Sequence, residues 1–136
     1  MAALTIHQFG HWLEMYGKAS KENDPQASAD LFALDANYYE TPFDEPMMGR
    51  DAIYQYWNKG AQTLKDKESR YEILSIRDNL GIARWQAKFT NIHSGKRLAL
   101  DCVFLVEFDD AGQCRVFREW WHIKTLDVNP NEEPLS

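Results

Sequence analysis

Apolar and polar residues follow two different periods along this chain, and the change falls near residue 69. Before that point, apolar residues recur at intervals of three and four, which is typical of helices that bury one face. After it, apolar and polar residues alternate, as they do in strands with one buried face. The pattern therefore predicts a helical first half and a β-rich second half.

Three helices are expected in the first half, beginning near Ile6, Pro25 and Arg50. Thr5 followed by Gln8 forms a capping box, which predicts the start of the first helix. Asp24 suits an N-cap, and Pro25 suits the first position of the second helix. The second and third helices are expected to end near Leu34 and Lys65. The buried stripe of the first helix should comprise Ile6, Phe9, Trp12, Leu13 and Tyr16.

A strand is expected near residues 37–41, and four longer strands at about 69–78, 81–92, 96–108 and 113–124. Turn residues such as Ser94-Gly95 separate the long strands, which predicts an antiparallel meander. The helices must then pack on one face of that sheet. The expected fold class is α+β, a curved and mostly antiparallel sheet around three helices, with a cavity where they fail to close. Residues 1–126 should form this single domain, and 127–136 a flexible tail.

Composition and charge narrow the range of partners. Fifteen basic residues against 21 acidic ones give a net charge of −6, which argues against nucleic acid and anionic membranes because phosphate groups need a basic surface. No apolar run approaches the ~20 residues of a membrane span, and no signal-peptide pattern is present, so a cytoplasmic location is expected. His7 and His11 lack a third ligand, and Cys102 and Cys114 form no metal or redox motif. Neither a metal nor an organic cofactor is expected.

Glu119 is the strongest candidate for a chemical role. Strand alternation places it on the same face as Phe117, Trp121 and Ile123, the face expected to be buried. A buried charge without its partner costs about 3–5 kcal/mol, so the carboxylate needs either neutralisation or a special setting. It can pair with Arg70 or Arg84 of a neighbouring strand, turn outward at a bulge, or line a small-molecule cavity, and the sequence leaves these alternatives open.

Aromatic residues supply the candidate walls of such a cavity. Tyr16 lies on the inward stripe of the first helix, and its phenol could polarise a ligand carbonyl or simply fill the core. Tyr39 and Thr41 lie at the predicted end of the first strand. The other candidate ligand-binding residues are Trp57, Trp85, Phe89, Phe104, Phe117 and Trp121. Core packing alone explains the same pattern, so both interpretations remain.

Several runs carry a family resemblance: residues 35–43 (Asp-Ala-Asn-Tyr-Tyr-Glu-Thr-Pro-Phe), Glu45-Pro46, Gly49-Arg50, Ile53, Phe108-Asp109, Gly112 and Arg118-Glu119-Trp120-Trp121. Over about residues 5–124, their order and spacing resemble the SnoaL-like branch of the nuclear transport factor 2-like superfamily. The resemblance implies a cystatin-like conical α+β barrel with a deep pocket between helices and sheet. That superfamily includes polyketide cyclases, ketosteroid isomerases, limonene epoxide hydrolases, scytalone dehydratases and non-catalytic binding domains, and fold does not imply function.

The resemblance also implies residue roles. Glu119 falls where the epoxide hydrolases and cyclases place an acid/base carboxyl, and Tyr16 matches the tyrosine that donates to the oxyanion in ketosteroid isomerases. The chain departs from those sets elsewhere, with Thr41 at the position of the isomerase base and Phe104 at that of its second acid. Glu40 and Glu45 are the carboxylates near enough to replace that base.

A homodimer is expected through the outer face of the sheet. The resemblance implies it, and the outward positions of the last two strands support it independently because they are apolar at Val103, Leu105, Val116 and Trp120. A sheet that is apolar on both sides must be covered on both sides.

Two functions from different classes therefore remain. One is a cofactor-independent enzyme of the isomerase, cyclase, dehydratase or hydrolase type, in which Glu119 and Tyr16 act on a small apolar molecule. The other is a non-catalytic ligand-binding or dimerisation module, in which Glu119 only orients a ligand or pairs with an arginine.

Overall fold

The computed structural model of the protein describes residues 3–126, which form three helices and one six-stranded sheet. In chain order the elements are α1 (Ile6–Lys21), α2 (Pro25–Ala29), β1 (Phe32–Tyr39), β2 (Met47–Met48), α3 (Arg50–Thr63), β3 (Leu64–Arg77), β4 (Leu80–Asn91), β5 (Arg97–Phe108) and β6 (Cys114–Leu126). The expected α+β class is confirmed. The tail predicted at 127–136 lies outside the described residues.

The sheet has the strand order β2-β1-β6-β5-β4-β3, so the four long strands form the predicted antiparallel meander. β1 joins it as the parallel neighbour of β6, and β2 pairs antiparallel with β1 at the edge. Within residues 3–126 the sheet is not closed, because β2 and β3 remain as its two edges. None of the helices in this range is long and apolar enough to cross a membrane.

Helix α1 begins where the capping box predicts. The Thr5 side chain accepts a hydrogen bond from the Gln8 backbone N–H at 3.1 Å, and the Gln8 side chain accepts one from the Thr5 N–H at 3.0 Å. Phe9, Trp12, Leu13 and Tyr16 are buried as expected. Ile6 is 70% exposed, so its place in the stripe was wrong: it is the first helical residue, and burial begins one turn later at Phe9.

Two predicted boundaries in the first half were wrong. Helix α2 ends at Ala29 rather than near Leu34, and β1 begins at Phe32 rather than near residue 37. Pairing with β6 explains both errors, because the Cys114 N–H donates to the Leu31 carbonyl at 2.9 Å and Phe32 lies opposite Cys114. A contact 83 residues away in sequence, between Leu31 and Cys114, thus overrides the local helical preference.

Helix α1 lies very close to the inner face of the sheet at Gly81. A Cβ atom added to Gly81 would be 2.5 Å from the fully buried ring of Phe9, a distance that real Cβ atoms do not adopt. Glycine therefore sets how near α1 approaches β4, and this approach positions the inward residues of α1 against the sheet.

Candidate functional site

A cavity of about 540 Å³ opens between α1, α3 and the inner face of β3–β6. This volume falls within the range of small-molecule sites. Its ring-bearing lining residues are Tyr16, Tyr38, Tyr56, Trp57, Trp85, Phe89, Phe104 and Trp121, and its ionisable side chains include Glu40, Glu119, Lys21, Lys59 and Lys67. Carboxyl and phenol side chains therefore face the same cavity, whose walls are otherwise largely apolar.

Glu119 lies inside this cavity, directly opposite Phe104 in the β5–β6 ladder and only 9% exposed. The arginines considered as partners bind elsewhere: Arg70 donates to the Gln86 side chain at 2.9 Å, and Arg84 forms two hydrogen bonds with Asp101. Among residues 3–126, no hydrogen bond or ion pair reaches the Glu119 carboxyl group. The geometry favours the cavity alternative over the structural ion pair.

Burial controls the protonation of Glu119. Desolvation, with the neighbouring charge of Glu40 as the second cause, raises the pKa of its carboxyl group to about 8. Burial also raises the pKa of Glu40, with Asp44 as the second cause. At neutral pH, Glu119 is therefore mainly a neutral acid that can donate a proton or a hydrogen bond.

Three phenols adjoin this carboxyl group. The Tyr38 hydroxyl lies within hydrogen-bonding reach of those of Tyr16 and Tyr56. Desolvation, followed by the charge of Glu119, raises the pKa of all three phenols, so they remain protonated and serve as donors. The Nε1 atom of Trp57 is a further buried donor, without a partner in the described part of the chain.

Five of the eight candidate ligand-binding residues line the cavity: Trp57, Trp85, Phe89, Phe104 and Trp121. Both candidate catalytic residues, Glu119 and Tyr16, also line it. Trp121 in addition donates from Nε1 to the Glu40 carbonyl at 3.0 Å, which ties the end of β1 to β6 beside the cavity.

The other three candidates lie elsewhere. Phe117 is fully buried beneath the cavity, where it stacks on Tyr38. Tyr39 faces the outer side of the sheet, with the Arg118 guanidinium 4.0 Å from its ring centroid. The Thr41 hydroxyl accepts a hydrogen bond from the Phe43 N–H and donates one to the Asp44 carboxylate, in the loop that follows β1. Tyr38 lies opposite the buried Phe117 and points inward, so Tyr39 faces outward, and neither Tyr39 nor Thr41 is among the residues that line the cavity.

Several residues that line the cavity were not among the candidates predicted from the sequence. Alternation along β1 places Tyr38 on the face opposite to Tyr39, and Tyr56 directly precedes the candidate Trp57 on α3. Of the two carboxylates considered as a second acid or base, Glu40 lines the cavity and Glu45 is exposed outside it. No local signal marked the lysines. In residues 3–126, no group of three His, Cys, Asp or Glu side chains is arranged to hold a metal.

Comparison with known proteins gives the family and the fold. Residues 12–117 match the model of the SnoaL-like domain, whereas no protein of curated function matches the chain. Among solved structures, the epoxide hydrolase/cyclase-like enzyme SalBIII, described in pyran ring formation in the polyether salinomycin, has a TM-score of 0.76 at 18% identity, over 88% of this chain and 97% of that one. A putative isomerase from Bacillus subtilis has a TM-score of 0.75 at 20% identity, over 85% and 87%. Identities this low establish a shared fold only.

Proposed function

The chain belongs to the SnoaL-like domain family, and on that premise we propose that it binds a small, largely apolar molecule and transforms it by cofactor-free acid/base chemistry of the isomerase or cyclase type. The observation that carries the proposal is Glu119, a buried carboxyl group without a partner that opens onto a cavity of about 540 Å³. Maintaining such a group costs stability, and binding or catalysis is the common reason for that cost.

The arrangement supports a division of roles between two carboxyl groups. Glu119, with a pKa near 8, is the proton donor, and the less buried Glu40 is the base that accepts a proton from the ligand. The phenols of Tyr16 and Tyr38 donate hydrogen bonds to a ligand oxygen as negative charge develops on it. The two relatives of known structure, named as a cyclase-like enzyme and a putative isomerase, agree with this type of reaction.

A thermal-shift screen followed by turnover assays tests the proposal. Wild type, Glu119→Gln and the matched control Glu45→Gln are screened against steroids, terpenoids, aromatic polyketides and their epoxides. A ligand at 100 times its Kd should stabilise the folded state by about 2.7 kcal/mol. We expect hits for wild type and Glu45→Gln, an altered shift for Glu119→Gln, and turnover that Glu119→Gln alone loses.

Equal turnover by wild type and Glu119→Gln on an identified substrate would contradict the catalytic role. Binding without turnover by any variant would instead support the non-catalytic ligand-binding module. An absence of stabilisation throughout the screen, together with a strongly destabilised Glu119→Gln, would make Glu119 a structural group.

We also propose that a second copy of the chain covers the outer face of the sheet. Trp120 and Val103 lie directly opposite each other on that face and are 47% and 36% exposed. Leu105 and Ile82 continue the apolar surface on the neighbouring positions. If two copies of the chain pair through this patch about a two-fold axis, each residue of the patch is buried in both copies.

Trp120→Glu should therefore weaken the dimer by on the order of 100-fold or more, because a buried aromatic is lost and an unpaired charge replaces it in both copies. Sedimentation equilibrium over a concentration series measures the effect. Phe43→Glu, at a residue that is 94% exposed, is the matched control and should leave the dimer intact. A wild type that stays monomeric at high concentration would contradict the proposed interface.

A further inference from the structure

Strand β3 contains a one-residue β-bulge at its start. Lys65 lies opposite Thr90 and Glu68 opposite Lys88, so three steps along β3 match two steps along β4. Asp66, within the bulge, has a φ of +51°, in the left-handed region that non-glycine residues seldom occupy. Bulges of this kind change the direction in which the following side chains point.

The bulge directs Lys67 toward the cavity. Lys65 pairs with Thr90, and Thr90 alternates away from the cavity-lining Phe89, so Lys65 belongs to the outer face. In a regular strand, Lys67 would share that outer face with Lys65, since residues two positions apart point to the same side. Beyond the bulge, Lys67 instead has the same orientation as Ser69, and both line the cavity.

Arg97 holds this irregular backbone in place. Its Nη1 donates to the Asp66 carbonyl at 2.6 Å and to the Thr90 hydroxyl at 3.2 Å, and its Nη2 lies 3.6 Å from the Glu68 carboxylate. A residue with unfavourable backbone angles persists only where its surroundings determine the conformation, and such residues cluster at functional sites. The inward direction of Lys67 is thus a fixed property of the fold.

Three lysines from three different elements line the cavity where α1 and α3 end beside the start of β3: Lys21, Lys59 and Lys67. Glu68 also lines the cavity here, and its carboxylate lies 3.6 Å from Nη2 of Arg97. The concentration of lysines is unexpected in a chain of net charge −6. Within residues 3–126, none of the three ammonium groups forms a hydrogen bond or an ion pair. Burial lowers the pKa of Lys67, and an anion beside it would oppose that effect.

The lysine end and the carboxyl end of the cavity are far apart. Glu119 belongs to the row of inward residues that runs through Phe104 and Ala83 to Ile73. Lys67 lies six residues before Ile73, which is roughly 20 Å along the strand, before the curvature of the sheet is counted. Apolar side chains line the space between them: Trp85, Ala87, Phe89 and Leu100. Lys21 and Lys59 are exposed, so the lysine end is the open end.

We propose that Lys67 binds an acidic group of the ligand at the mouth of the cavity, while the apolar body of the ligand extends inward toward Glu119. The ligand is accordingly an elongated amphiphilic acid, and Lys67 selects it over neutral molecules of the same shape. This inference rests on the proposed function, because it places the ligand in the same cavity.

Two fluorescent probes with the same aromatic body test the assignment. 1-Anilinonaphthalene-8-sulfonate carries an acidic group, and N-phenyl-1-naphthylamine is its neutral counterpart. Wild type should bind the sulfonate about 10-fold more tightly than the neutral probe, the scale of one charge-assisted hydrogen bond. Lys67→Met should lose this preference and keep its affinity for the neutral probe. Lys65→Met, which removes the same charge two residues away on the outer face, should behave as wild type does.

Equal affinity of wild type and Lys67→Met for the sulfonate would overturn the assignment of Lys67. If the neutral probe still binds in that case, the proposed cavity function stands. Failure of wild type to bind either probe would count against both proposals.

Displacement of the sulfonate probe by decanoate, decyl phosphate and decanol identifies the acidic group. Stronger displacement by decanoate supports a carboxylic acid ligand, and stronger displacement by decyl phosphate supports a phosphate ester. Decanol that displaces the probe as well as both acids would overturn the selection of an acidic group.

Discussion

Relative to Glu119→Gln, wild-type protein should lose about 5 kcal/mol of stability as the pH rises from below 4.5 to about 9. The expected loss follows from a carboxyl pKa of about 8 in the folded state against an ordinary value of 4.5. Among residues 3–126, Glu119 is the only carboxyl group that is both buried and without a partner. The expected effect is a large fraction of the stability of a typical domain.

The sign follows from proton binding in the two states. Well below pH 4.5, Glu119 is protonated whether the chain is folded or unfolded, and it contributes no pH dependence. Between 4.5 and about 8, the unfolded chain releases the proton while the folded chain retains it, so stability falls as the pH rises. Above about 8 the carboxyl group ionises in both states, and the full penalty remains.

Urea denaturation of both proteins across this pH range measures the difference. The amide of Glu119→Gln adds an offset that does not change with pH, so only the separation of the two curves is informative. Glu45→Gln should follow the wild-type curve, since Glu45 is exposed and outside the cavity. Parallel curves for wild type and Glu119→Gln would show that the carboxyl group has a partner or reaches water in the folded protein.

A raised pKa of this kind also links the fold to the proposed chemistry. An acid that titrates near 8 can give up a proton and recover it within the ordinary pH range of a cell. The cavity that desolvates Glu119 is the same space that would exclude water from a bound ligand. A bound ligand with a basic oxygen would therefore contact the neutral carboxyl group of Glu119, which donates a hydrogen bond, rather than a negative charge that repels it.

The sequence predicted correctly those features that depend on residues close together in the chain. The capping box at Thr5 and Gln8 set the start of α1, and alternation along β6 placed Glu119 inward. Both depend on residues within a few positions of each other. Turn residues such as Ser94-Gly95 likewise located the hairpins of the meander, because the positive φ of Gly95 is a local requirement.

Features that depend on distant contacts were not predictable from the sequence. The pairing of β1 with β6 moved the start of β1 to Phe32, and its register, with Tyr38 opposite Phe117, decided that Tyr38 rather than Tyr39 faces the cavity. The bulge at Asp66 is held by Arg97, 31 residues further along the chain, so Lys67 could not be assigned to the inner face. A shift of one residue exchanges the two faces of a strand, and small errors of register therefore become large errors about a site.

Phe117→Ala should destabilise the protein by about 3–5 kcal/mol, the usual cost of removing a fully buried aromatic side chain. Phe117 has no exposed surface, and its ring centroid lies 4.5 Å from that of Tyr38, 4.8 Å from that of Phe104 and 5.8 Å from that of Tyr16. It is therefore the support beneath the phenols, although the sequence pattern had suggested a ligand contact.

Phe43→Ala removes the same side chain where it is 94% exposed and should change stability by no more than about 0.5 kcal/mol. Urea denaturation compares the two variants with wild type. Loss of the Phe117 ring also leaves space beneath Tyr16 and Tyr38, so their hydroxyl groups should become less well positioned and ligand affinity should fall with stability. A Phe117→Ala protein of nearly wild-type stability but weakened ligand binding would instead place this ring on the cavity wall. The two readouts together separate support of the site from contact with the ligand, which alternation along β6 alone could not do, since Phe117 and Glu119 share one face.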